Sequence, residues 1–234
     1  MLVKRAAAER GHTRLSWLES WHSFSFGEYF DRSHMHFRAL RVVNDDVIAP
    51  GGGFGLHPHR DMEIITVLLD GGLTHRDSMG HEATLRPGDI QYMRAGSGIQ
   101  HSEFNASQEE SARLLQMWVM PEVKGAEPAY TDRHIPEARR RDRLALILAR
   151  DGRDDALQIN QDADVYLATL SKGASVSHAL HSNRHAWLQV GKGAIDVNGV
   201  ALQEGDGIAI SGESEVTIAQ RGESDAQVVL FDLA

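Results

Sequence analysis

No cysteine occurs among the 234 residues, which removes disulfides, thiolate zinc sites, iron–sulfur clusters and thiol nucleophiles together. Any bound metal must be held by histidine and carboxylate. No apolar run approaches the roughly 20 residues of a membrane-spanning helix, and the opening MLVKRAAAERGH has no apolar stretch of signal-peptide length. The chain is expected to be cytoplasmic and free of the membrane. Positive charge is in short supply: 24 Lys and Arg against 33 Asp and Glu leave a net charge of −9. No general attraction to nucleic acid follows from that balance. The basic run at 139–143 lies beside acidic residues and reads as a solvated connector. Helical periodicity is scarce too, with short windows only at 6–10 and 136–141.

What is present is strand. Of the residues, 41% are hydrophobic and 24% charged, the balance of an ordinary globular protein. From Phe37 onward the apolar residues fall into short runs bounded by Gly, Asp, Pro and Asn: FRALRVV, EIITVLL, LLQMWVM, LALILA, DVYLATL, WLQV, AIDV and QVVLFDL. Such runs predict a sandwich or barrel of antiparallel strands. A weak internal repeat aligns ITVLLDGGL and ATLRPGDIQYM with WLQVGKGAIDVNGVALQEGDGIAI, setting Gly72 and Gly88 against Gly193 and Gly205. Two β-barrels of one kind are expected, joined through EPAYTDRHIPEARRRDR. The expected boundaries are 1–130 for the first barrel, 131–143 for the linker and 144–234 for the second.

Histidine is abundant, with 13 in the chain, and its clustering is informative. In GFGLHPHRDMEIITV, at 53–67, His57 and His59 stand at i and i+2, so a strand would turn both to one face. Glu63 has the same parity if the strand is continuous. A second pair, His101 and Glu103 in RAGSGIQHSEFN, follows 42 residues after His59 (101 − 59), far enough for the chain to return on a neighbouring strand. Three imidazoles and one carboxylate suit a first-row divalent metal and leave coordination positions open, which marks chemistry more than structure. Spacing alone leaves Glu63 and Glu103 both open as the carboxylate ligand.

GFGLHPHRDMEIITVLLDGGLTHRDSMGH followed by RPGDIQYMRAGSGIQHSEFN resembles the pirin family of the cupin superfamily. WLESWHSFSFGEYFD and FRALRVVNDDVIAPGGGFG upstream are similar to the N-terminal part of pirin-like proteins, and the late GDG and FDL to their C-terminal domain. The resemblance implies an all-β bicupin: two antiparallel β-barrels of the double-stranded β-helix or jelly-roll type, with a few short helices and metal in the first barrel only. It implies His57, His59, His101 and Glu103 as ligands of one divalent ion, Fe(II) foremost, with Mn, Ni, Co, Cu or Zn as alternatives. Glu63 then orients a ligand from behind or contacts substrate. The implied activity is a quercetin 2,3-dioxygenase acting on a flavonol and dioxygen, releasing carbon monoxide, with Glu103 also as the base. A second implied reading is a metal- and redox-sensing module of the transcriptional co-regulator type, whose partner is another protein. A monomer is expected.

Other candidates take plainer readings. His75 and His81 in THRDSMGHE are expected in a hairpin or loop, and His22, His34 and His36 at the surface. Aligning VLLDGG with LQVGKG sets His57 against His178 but His59 against Leu180, and His101 and Glu103 fall near Ile218 and Gln220. The second barrel therefore lacks a complete ligand set, and His178, His181 and His185 read as remnants or surface residues. Gly51, Gly52, Gly53 and Gly55 are not followed by the Lys-Ser or Lys-Thr of a phosphate loop, and Ser102 beside His101 is no hydrolase signal. Phe54, Met62 and Met93 are apolar residues with two equal readings, flanks of a flat substrate or core packing.

Overall fold

The β-branched and large apolar runs become antiparallel strands, and one short parallel pairing, Leu157–Gln158 on Ala145–Ala149, is the exception among the named strands. The computed structural model describes residues 1–234. Helix is confined to single turns at Ala7–Glu9, Glu137–Arg140 and Arg153–Asp155. The first two fall inside the windows read from the sequence. Alternate residues of each strand turn inward, so the sheets close on apolar cores as the period-2 pattern requires.

Two units partition the chain: Gly11–His134, and Met1–Arg10 together with Ile135–Ala234. In the first, a nine-stranded sheet winds around two interior clusters, one including Leu18, Ile48, Leu68 and Leu114, the other Ile64, Met93, Ala95 and Ile99. Its longest pair is Gly53–Asp70 on Asp89–Asn105. Strands of 18 and 17 residues exceed the usual length. Register shifts between Phe54 and His57 and between His59 and Asp61 let the first of them bend around the barrel.

In the second unit a seven-stranded and a four-stranded sheet face each other across a core that includes Leu188, Val190, Ile208 and Leu230 on one side and Ile195, Val197, Val216 and Ile218 on the other. The expected boundaries differ at both ends. Leu2–Arg5 pairs with Gly207–Ser211 and belongs to the second unit, because that edge strand offers a free ladder and buried Asp206 anchors the arriving chain. Asp206 accepts the Ala7 N–H at 2.7 Å and holds the Lys4 ammonium at 2.7 Å. Ala129–His134 pairs with Asp89–Asn105 and extends the first unit to His134. The basic run is held by its surroundings: Arg139 reaches Asp155, and Arg141 reaches Glu137 and Asp225.

The repeat is visible in three dimensions with a one-residue correction. Gly71, not Gly72, matches Gly193: their φ values are +73° and +74°, and each backs onto a strand start, at Ala112 and Ala226. A Cβ would stand 2.6 Å from the Ser111 carbonyl oxygen at Gly71 and 2.6 Å from that of Asp225 at Gly193. Gly193→Ala is therefore expected to destabilise the second unit by at least about 1–2 kcal/mol from the left-handed backbone alone. The midpoint of denaturant unfolding reads this; an unchanged midpoint contradicts it.

Candidate metal centre

Pairing of Gly53–Asp70 with Asp89–Asn105 sets His57 directly opposite His101, with His59 opposite Ile99. Both i, i+2 pairs therefore meet on adjacent strands. The rings of His57 and His101 are 4.4 Å apart, and His59 lies 4.8 Å from each. The ligand atoms of these three histidines fall within 4.8 Å of one another, and so do those of His75, His101 and Glu103. His101 and Glu103 are buried, at 0% and 2% exposure.

Glu63 is not in either cluster, and the bulge explains why. At the register shift Asp61 adopts the left-handed φ +65°, while the extra residue lies on the partner strand between Ile99 and Gly96; the left-handed turn breaks the alternation that a continuous strand would keep. Beyond it Ile64 packs with Trp118, and Leu68 with Phe54, both cavity-lining residues, so Glu63 turns to the opposite face. There its Oε2 accepts the Tyr92 hydroxyl.

His57 Nδ1 donates to the Gly55 carbonyl at 2.7 Å, which leaves Nε2 as the bare nitrogen. Gln116 Nε2 donates to Glu103 Oε2 at 2.8 Å, and Trp118 Nε1 donates to Gln116 Oε1 at 3.2 Å. Glu103 Oε1 and His101 Nε2 are buried without any protein partner. Buried polar atoms are nearly always satisfied, and two orphans within one histidine-carboxylate cluster are what a cation would complete. The donor set fits a divalent first-row metal.

The electrostatics favour the same use. Burial, reinforced by neighbouring imidazoles, lowers His101 to about 2 and His59 to about 4, so both rings are neutral with lone pairs available near neutral pH. Burial pushes the Glu103 carboxyl up to about 7 against the Gln116 hydrogen bond. Burial likewise raises Asp46 to about 7 against its hydrogen bond from Ser20. A cation binding the Glu103 carboxylate must displace that proton. Glu103 alone is therefore expected to make metal affinity rise about tenfold from pH 6 to pH 8 and level off above. Titration calorimetry across that range checks it, and a flat affinity contradicts it.

The cluster opens on a cavity of about 400 Å³ within the first unit, a volume suited to a small organic ligand. Leu15, Leu18, Phe26, Phe54 and Trp118 supply its apolar walls, and His57, His59 and Glu103 line it as well. A polar wall was not foreseen from the sequence: Ser20 with Asp46, and His22 with Asn44, whose Oδ1 lies 2.8 Å from His22 Nδ1. His22 is thus buried and not at the surface, whereas His34 pairs with Asp31 and His36 is exposed. Of the three candidate flanking residues, Phe54 lines the cavity, while Met93 is core and Met62 packs beside it.

His75 lies in a hairpin, on Leu73–Asp77 paired with Glu82–Leu85, but it is fully buried there and stands opposite Glu103 in the register of the next strand. Burial lowers it, outweighing the opposing pull of Asp77. Burial pushes Asp77 up, but hydrogen bonds from His81, His75 and Met79 outweigh it and hold the carboxyl below the usual range. The signal was available: His75 and Asp77 form a third i, i+2 pair. In the second unit His178 is tied to Asp232 at 2.7 Å and His185 to Ser211 at 2.7 Å, and both ligand clusters lie in Gly11–His134.

The chain belongs to the pirin family, and its fold is a bicupin: the pirin family profile matches residues 3–119, and that of the quercetinase C-terminal cupin domain matches residues 146–233. It is 45% identical over 233 residues to quercetin 2,3-dioxygenase of Escherichia coli K12, covering 100% of this chain and 99% of the relative. A pirin-like protein of Caulobacter vibrioides is 40% identical over the whole of both chains. Among solved structures, the bacterial pirin YhhW from Escherichia coli in complex with nickel(II) superposes with a TM-score of 0.93 at 44% identity, covering 100% of this chain and 99% of that one.

Proposed function

We propose that this protein is a metal-dependent dioxygenase that opens the central ring of quercetin-type flavonols and releases carbon monoxide. The observation that carries the reading is the pair of orphaned buried ligand atoms, His101 Nε2 and Glu103 Oε1, in a cluster that opens on an aromatic-walled cavity. The Escherichia coli relative bearing the quercetin 2,3-dioxygenase name adds support over the full length.

In this reading His57, His59, His101 and Glu103 hold one divalent cation, Fe(II) by family resemblance, nickel being the ion named with the YhhW structure. When bound, the cation supplies Lewis acidity that lowers the pKa of a flavonol hydroxyl drawn to it. Glu103 accepts the proton of that 3-hydroxyl, and Gln116 keeps the carboxylate aimed. Phe26, Phe54 and Trp118 flank the flat rings and exclude water, while the Ser20–Asp46 and His22–Asn44 pairs offer partners to ring hydroxyls. Both atoms of dioxygen enter the opened product and one ring carbon leaves as carbon monoxide, so no external reductant is needed.

The test is turnover of quercetin by protein loaded separately with iron, manganese, nickel, cobalt, copper or zinc, with carbon monoxide measured. About one carbon monoxide per quercetin consumed, with at least one metal, is expected. No turnover with any metal, in protein shown to be metallated, rejects the reading and favours the protein-binding module.

A further inference from the structure

We propose that Asp77 and His75 form a tautomer relay that dictates which nitrogen of His101 is bare for the cation; the proposal rests on the metal-site reading above. Both residues lie on the strand Leu73–Asp77, which pairs with Asp89–Asn105 so that His75 stands opposite Glu103 and Asp77 opposite His101. The side chains of His75 and Asp77 are fully buried.

The proton positions follow in order along the chain of contacts. Asp77 Oδ1 accepts the backbone N–H of Met79 at 2.9 Å and of His81 at 3.0 Å, which fixes that oxygen as an acceptor. Asp77 Oδ2 faces His75 Nε2 at 3.3 Å and His81 Nδ1 at 3.0 Å. A carboxylate only accepts, so His75 carries its proton on Nε2 and leaves Nδ1 as a lone pair. That lone pair faces His101 Nδ1 at 3.4 Å. His101 must donate there, and a neutral imidazole that donates from Nδ1 has a bare Nε2. His101 Nε2 is the buried atom without a partner. Tyr130 stacks on His75 at 4.4 Å and 19°, which holds the relaying ring in its plane.

The relay has a signature that a packing role lacks. In Asp77→Asn the two backbone N–H groups still claim the carbonyl oxygen, so the amide NH2 occupies the Oδ2 position and donates to His75 Nε2. Every proton along the chain then reverses, and His101 carries its proton on Nε2. In His75→Phe the stack on Tyr130 survives but the chain is cut, and His101 chooses its tautomer freely.

The experiment is histidine 15N–1H correlation spectroscopy on the metal-free protein, with Ni(II) affinity measured for wild type, Asp77→Asn, His75→Phe and the double variant. Expected are Nδ1–H on His101 and Nε2–H on His75 in wild type, reversal in Asp77→Asn, and Ni(II) binding weakened about 10- to 100-fold there. The double variant is expected to bind as tightly as His75→Phe alone, because removing His75 disconnects the reversed signal. Independent, additive losses, or His101 protonated on Nε2 in wild type, overturn the relay. So does a His75→Phe variant that loses Ni(II) as completely as His101→Ala, which would make His75 a ligand. If Asp77→Asn does not fold, the wild-type tautomers decide alone. Wild type that fails to bind any of the six metals fails the metal-site reading instead, with the tautomers still readable.

Discussion

His101→Ala is expected to weaken metal binding on the order of 10²- to 10³-fold and to bring quercetin turnover to background. The magnitude follows from sharing a site binding energy of about 10–16 kcal/mol among four ligands. His101 belongs to both ligand-atom clusters, faces His57 across the strand pair and is fully buried, so its loss removes a ligand atom from the centre of the site. Bound metal after gel filtration and a competition titration measure the loss, with a thermal melt to show that the barrel persists. Stoichiometric metal retained by folded His101→Ala contradicts the assignment.

The second large effect separates two carboxylates that the sequence leaves side by side. Glu103→Gln is expected to lose roughly 10²-fold in metal affinity, because in the proposed ligand set an amide then replaces the charged carboxylate. Glu63→Gln is expected to keep metal affinity within about threefold of wild type, since Glu63 lies beyond the bulge on the opposite face and accepts the Tyr92 hydroxyl. The reverse pattern, metal lost in Glu63→Gln and kept in Glu103→Gln, overturns the ligand set. The pH profile adds a second reading: Glu103→Gln is expected to remove the rise in affinity through about pH 7 that the raised carboxyl produces.

Much of this was legible in one dimension. Period-2 runs and glycine turns gave the strands, and the i, i+2 spacing of His57 with His59 and of His101 with Glu103 predicted two facing pairs. The rest needed coordinates for identifiable reasons. A bulge is invisible to parity, so Glu63 looked equivalent to Glu103 until Asp61 broke the strand. Leu2–Arg5 carries no sign that its partner is Gly207–Ser211, because ladder hydrogen bonds are made by backbone and not by residue type. His22 read as a surface residue because a single histidine in a polar stretch has no face until the strand is paired. The polar wall of Ser20, Asn44 and Asp46 is assembled from two strands and appears in no local motif.

The central claim is the ligand set, and anomalous diffraction from a crystal of the Ni(II)-loaded protein tests it most directly. One nickel peak is predicted within about 2.0–2.2 Å of His57 Nε2, His59, His101 Nε2 and Glu103 Oε1, with His75 hydrogen-bonded behind His101 and Glu63 remote. A peak ligated by Glu63 or His75, or nickel bound in the second unit instead, would contradict it.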